Sequence, residues 1–425
     1  MKQDIDTLCR VLGNSTSPFH TVKEAIEQFS LAGFQELIWE EDWKVEKGKG
    51  YFLRVYGSSL IAFIIGENWE AKDMLRIEAA HTDFPCFKIK PLPEKIGRYA
   101  VLNVEVYGGP IFNTWLDRPL SIAGRVALRG KEAFVPEIRL LDMEEPVCII
   151  PNLAIHMNRK INEGIELNRQ VDLLPLAGIK ERGDWFLKEI ADRLEVRQEE
   201  ILDYELNLYN VDKPTVFGFQ KEMLTSPRID NITSVQACVS GLIHSGKEKG
   251  IHVVALFDNE EVGSKTKQGG DSMLLSYILE RLYLALGKGR AEYLSAIAGG
   301  MMLSVDVAHA IHPNHPEKCD ITNQIYLNDG VALKQSGTQR YATDCEATAI
   351  IEQLCYENQI AYKKFANRSD IPGGSTLGSL QSSILPMRTV DMGIPILAMH
   401  SARETMGVTD YKSLCKLMEV FFFDK

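Results

Sequence analysis

The sequence predicts an α/β fold in which a mainly parallel sheet flanked by helices is interrupted by an inserted β-rich domain. Three observations carry this. With 425 residues the chain exceeds what one ordinary hydrophobic core organises, so at least two domains are expected. After Ser226, buried-strand and amphipathic-helix patterns alternate, the rhythm of strand–helix–strand units. Between about 91 and 225 that rhythm gives way to short β-rich runs and turn dipeptides.

Taken in order, Ser17-Pro18 marks a helix start, and Ala25, Ile26 and Phe29 share one face of a helix over 20–31 that Gly33 stops. Strands follow at 51–55, 59–65 and 74–80, the last running straight into His81-Thr82-Asp83. In the β-rich region, strands are expected at 99–106, 121–128 and 147–150, with turns at Gly108-Gly109-Pro110 and Asp117-Arg118-Pro119 and one helix over 183–202. Beyond it come helices at 232–244, 272–286 and 347–358, and strands at 251–257, 302–305 and 394–399. The expected division is a discontinuous domain of 1–91 and 226–425 with an insertion at 92–225.

Composition narrows the function. Apolar residues make up 45% and charged residues 25%, values of a soluble globular protein. A net charge of −11 argues against a nucleic-acid partner, which needs a Lys/Arg excess on some face. The eight cysteines are scattered without a CxxC pair and read as reduced thiols. Met1-Lys2-Gln3-Asp4-Ile5-Asp6 lacks the pattern of a secretory signal, and no apolar run approaches the ~20 residues of a membrane helix. A cytoplasmic, membrane-free protein is expected.

Four polar groups follow directly on expected strands: His81, the Asp258-Asn259-Glu260-Glu261 run, Asp306 and His400. In open α/β sheets ligands bind outside the carboxyl ends of the strands, so these groups can converge. Asp230, at the return from the insertion, adds a fifth. Two histidines and three carboxylates suit zinc, manganese or cobalt. Five ligands are too many for one catalytic zinc but fit two cations if one carboxylate bridges. Glu260 and Glu261 then divide two jobs between them, ligand and proton acceptor. His20, His244 and His252 read as packing or surface residues, and the His309, His312, His315 cluster as a loop near the site.

His81-Thr82-Asp83, Ser226-Pro227-Arg228-Ile229-Asp230-Asn231, Asp258 to Ser264, Asp306-Val307-Ala308-His309-Ala310 and Met399-His400-Ser401-Ala402-Arg403-Glu404 together resemble the aspartyl aminopeptidases. These form the M18 metallopeptidase family, within the clan of co-catalytic zinc exopeptidases. The likeness spans nearly the whole chain, including Val104 to Gly109 and Ala154 to Arg159. It implies two divalent metal ions, zinc first and manganese or cobalt as alternatives. One would be held by His81, Asp230 and Asp306, the other by Asp230, Glu261 and His400. It further implies a cis peptide after Asp230, and Asp83 orienting His81. A metal-bridged hydroxide would attack the first peptide bond of short peptides, with Glu260 as general base. Lys334 and Tyr341 match substrate-contacting positions, and a lysine there would select acidic first residues. His156 would reach into a neighbouring subunit's site, and the insertion would build dimers within a homo-oligomer, a dodecameric shell. The rival readings are a di-metal N-acyl amino-acid deacylase on the same scaffold, and an assembly or cargo protein without catalysis.

Overall fold

A computed structural model describes residues 2–95, 97–179, 184–371 and 373–423 as a mixed α/β molecule. Its largest sheet has nine strands, in the order Gln35–Glu36, Gly50–Val55, Ser59–Ile65, Ile251–Phe257, Leu75–His81, Met301–Val305, Arg388–Gly393, Val331–Gln335 and Tyr362–Ala366. The four strands from Ile251–Phe257 to Arg388–Gly393 run parallel. Every residue of Ser59–Ile65, Ile251–Phe257 and Met301–Val305 is buried, as expected when helices cover both faces.

Alternation along each strand splits the interior into two cores. Leu60, Ala62 and Ile64 pack with Val235, Val239 and Leu242 of helix Ile229–Ile243 and with Leu414 and Leu417 of helix Val408–Phe421. Ile61, Phe63 and Ile65 point the other way, into a core with Leu275, Ile278, Leu279 and Leu282 of helix Leu274–Ala285.

A second sheet of seven strands takes in Cys86–Lys95, Ala100–Tyr107, Pro119–Glu132, Val135–Asp142, Cys148–Ile149, Leu176–Gly178 and Ile201–Asn210. Ile201–Asn210 pairs with both Cys86–Lys95 and Pro119–Glu132, which closes six of these strands into a ring. A third sheet joins five short strands: Thr215–Phe217, Met223–Ser226, Glu404–Gly407, Pro395–Leu397 and Ala308–His309.

The structure departs from the sequence reading at several places, among them helix Val408–Phe421 and strand Val331–Gln335, neither of them anticipated. Helix Lys2–Asn14 was not anticipated, although Ile5, Leu8 and Leu12 repeat at helical spacing and are buried. Of the helix expected over 183–202, Gly183 lies outside the described residues, Trp185–Leu194 is helical, and strand Ile201–Asn210 begins before the expected end. Glu195 ends that helix in a left-handed conformation (φ 54°). The strand expected over 394–399 is shorter and belongs to the third sheet; Arg388–Gly393, unforeseen, takes the place in the large one. The large-sheet ladder ends at Gly393, and the chain passes directly into Pro395–Leu397 of the third sheet. The eight cysteines are free, and among the described residues no helix is long and apolar enough to cross a membrane.

Candidate metal centre

Three adjacent parallel strands deliver the first part of the site. Leu75–His81 lies between Ile251–Phe257 and Met301–Val305, with His81 in register with Phe257 and Ala79 with Ser304. The groups just beyond their carboxyl ends are His81, Glu260 with Glu261, and Asp306, and they meet in one crevice. Asp306 is pinned by its N–H to the Met392 carbonyl at 2.8 Å. The neighbouring chain passes so close that a Cβ at Gly393 would lie 1.2 Å from the Asp306 carbonyl oxygen.

Asp230 and His400 arrive from elsewhere. Asp230 opens helix Ile229–Ile243 directly after Arg228, which is left-handed (φ 62°), and the Asp230–Asn231 peptide is cis. His400 (φ 66°) sits in a turn after Pro395–Leu397 of the third sheet. Asn259, just before Glu260, is left-handed as well (φ 64°). Non-glycine residues at positive φ cost about 1–3 kcal/mol each and persist where the surroundings hold them.

The five side chains form two triads around one carboxylate. His81 Nε2 lies 3.4 Å from Asp230 Oδ1 and 3.7 Å from Asp306 Oδ1. His400 Nε2 lies 3.5 Å from Asp230 Oδ2 and 3.4 Å from Glu261 Oε2. Each triad offers ligand atoms within 4.8 Å of one another, and His81, Glu260 and Glu261 form a third such group. Buried Asp230 Oδ1 and Glu261 Oε1 have no hydrogen-bond partner among the described residues, a costly state unless a cation faces them.

The supporting bonds are specific. His81 Nδ1 is 3.0 Å from the main-chain oxygen of Asp83 and 3.4 Å from its Oδ1. The Asp83 carboxylate also accepts the N–H groups of Glu260 and Glu261, each at 3.1 Å, and the Tyr107 hydroxyl at 2.6 Å. Tyr107 ends a strand of the seven-stranded sheet, so that sheet reaches into the site. Two residues on, the Gly109 carbonyl faces His400 Nδ1 at 3.1 Å. Gly108 (φ 70°) passes so near that its Cβ would stand 3.1 Å from that of Glu261.

Charge crowding follows from this geometry. Burial, reinforced by Asp306, Asp83 and Asp230, pushes the Glu260 carboxyl up to about 8. Burial also holds Glu261 well above its ordinary range. Burial alone would lower His400, but Asp230 and Glu261 raise it to about 10. A divalent cation among these groups reverses that logic, keeping the carboxylates ionised and the imidazoles neutral.

The cleft over the triads has a volume of about 420 Å³ and is also lined by His309, Lys334, Tyr341 and Met399. Lys334 is buried, with Nζ 3.5 Å from Asp306 Oδ2 and 5.4 Å from the centre of the Tyr341 ring. The Tyr341 hydroxyl accepts a hydrogen bond from Asn367 at 3.0 Å. The structure thus brings together His81, Asp83, Asp230, Glu260, Glu261, Asp306, Lys334, Tyr341 and His400. It does not bring in His156, which is exposed on the loop after Cys148–Ile149 and does not line this cleft. His309, read as a loop residue, lines the cleft on the two-residue strand that follows Asp306; its position three residues past a candidate ligand was the available signal.

A model of the family described as aminopeptidase I zinc metalloprotease (M18) matches residues 11–422. The chain belongs to the M18 family. It is 45% identical over 414 residues to a probable M18 family aminopeptidase 2 of Clostridium novyi, covering 96% of each chain. It is 36% identical over 454 residues to aspartyl aminopeptidase 4 of Saccharomyces cerevisiae, covering 97% of this chain and 92% of that one. Among solved structures, Ape4 in its complex with Nbr1 superposes with a TM-score of 0.95 at 32% identity, over 99% of this chain and 85% of the other. The mApe1 dodecamer of S. cerevisiae superposes with a TM-score of 0.84 at 27% identity, over 98% and 95%. This M18 chain is therefore a metalloaminopeptidase, a hydrolase.

Proposed function

We propose that the protein removes acidic first residues from short peptides using two divalent cations, zinc in the first instance, with manganese or cobalt able to substitute. The observation that carries this is Asp230, whose two oxygens face two histidines, each completing a triad. The residues fit such a pair: nitrogen and oxygen donors, unpartnered buried carboxylate oxygens, and a shared central carboxylate. His81, Asp230 and Asp306 would hold one cation, and Asp230, Glu261 and His400 the other. When bound, the cations supply Lewis acidity toward water and the scissile carbonyl.

The remaining steps belong to the chain. Glu260, which is not needed as a ligand, takes the proton of the attacking water and passes it to the leaving amine. Asp83 fixes the Glu260-Glu261 backbone and the His81 ring, so that base and ligands keep their spacing. Lys334, buried at the cleft wall beside Tyr341, pairs with the side-chain carboxylate of the first residue in a desolvated pocket. His156 acts in a neighbouring subunit, stabilising charge on the carbonyl oxygen. Region 92–225 serves as the inserted dimerisation domain of a dodecameric shell that admits short peptides, within the cytoplasm.

The test is hydrolysis of aminoacyl substrates with acidic, basic and apolar first residues, each beside its N-acetylated form. Cleavage of free-amine substrates, acidic ones fastest, is expected. Turnover of the blocked forms alone would overturn the aminopeptidase reading in favour of a deacylase.

A further inference from the structure

Glu404 lies outside both triads, yet it touches the main chain of two of their members. It opens strand Glu404–Gly407, pairs there with Ser226, and its own carbonyl accepts the Thr225 hydroxyl at 2.7 Å. Its side chain is 2% exposed. Oε2 accepts the N–H of Asp230 at 3.0 Å, and Oε1 accepts the N–H of His400 at 2.8 Å. One carboxylate therefore ties the segment carrying the shared ligand to the segment carrying His400.

The two triads differ in how much they need this tie. His81 and Asp306 sit at the ends of neighbouring strands of the large sheet, whose ladder sets their spacing. His400 sits in a turn, in a left-handed conformation, and its ring is steadied by the Gly109 carbonyl. We infer that Glu404 is a positioning residue that sets the distance between Asp230 and His400, and so tunes cation binding at the Asp230, Glu261, His400 triad. This rests on the two-cation reading above. A glutamine of the same shape can accept one of the two N–H groups but turns its own NH2 toward the other, so the spacing relaxes.

The experiment is stepwise zinc removal by a competing chelator, on the full-length protein and on Glu404→Gln, with bound zinc counted per chain at each step. The unsubstituted protein is expected to release two zinc ions per chain in two steps. In Glu404→Gln one of the two ions is expected to leave about 10–100-fold more readily and the other to be unchanged, in line with the usual effect of a ligand-supporting bond. Turnover should fall through kcat at an unchanged KM and return with excess zinc. Glu404→Asp, charged but too short to span both N–H groups, should show the same selective loss and stands in if the glutamine variant does not fold. Equal weakening of both ions, or a lowered unfolding midpoint of the metal-free protein with both affinities intact, would overturn the inference. Release of a single zinc per chain by the unsubstituted protein would instead sink the two-cation reading on which it rests.

Discussion

Glu260 and Glu261 are chain neighbours whose N–H groups bond to opposite oxygens of Asp83. If Glu260 moves the proton, Glu260→Gln should lower kcat by about 10²–10⁴-fold. Metal analysis of the same sample should find both cations still bound, since Glu261 keeps its place. Lys334→Met tests selectivity: kcat/KM for acidic over apolar first residues should drop about 10–100-fold, the scale of a lost charge-assisted hydrogen bond. A panel whose acidic preference survived that change would remove Lys334 from the pocket's logic. The groups legible in the sequence were those that a strand runs straight into, such as His81, Glu260 and Asp306. Tyr107, Gly109 and Glu404 were not legible as parts of the site. All three lie in motifs that carried the resemblance, but their bonds cross long stretches of chain, 291 residues for Gly109 to His400 and 174 for Glu404 to Asp230, so local pattern gave them no role.

Helix Cys345–Asn358 followed the sequence, which expected it over 347–358. Asp344, the N-cap of helix Cys345–Asn358, accepts the Ala347 N–H at 2.8 Å, and Asp344→Ala should cost about 1 kcal/mol in a urea unfolding series. Strand Leu75–His81 carries a harder case. Glu78 is fully buried, and burial holds its carboxyl well above 4.5, with a hydrogen bond from the Cys238 thiol acting against it. The folded protein thus keeps a proton that the unfolded chain releases once pH passes 4.5. Stability from this group should fall as pH rises, by up to about 1.4 kcal/mol per pH unit. Urea midpoints of Glu78→Gln and the parent, compared from about pH 5 to about pH 8, should diverge in the variant's favour; parallel curves would show the carboxyl already ionised. No periodicity marks Glu78, because an alternating strand with one acidic residue reads as half-exposed. The strand expected at 394–399 failed for a different reason: Ile394 to Leu397 is apolar enough for the large sheet, but the segment just before it, Arg388–Gly393, holds that place.

At the scale of the molecule, length and the change of rhythm between 91 and 225 pointed to more than one domain, and the described residues form three sheets. What composition could not convey is that the seven-stranded sheet enters the metal centre through Tyr107 and Gly109. His156 is exposed and set apart from its own cleft. If it completes a neighbour's site, His156→Phe and Glu260→Gln should each be inactive alone, yet regain activity when co-expressed and co-assembled. Persistent inactivity of the mixed assembly would confine catalysis to single chains. Whether two cations share Asp230 is decided by adding zinc in increments to metal-free protein while counting bound metal and following turnover. Activity should become complete only at two zinc ions per chain. Full activity at one zinc per chain, with no second ion bound, would contradict that sharing.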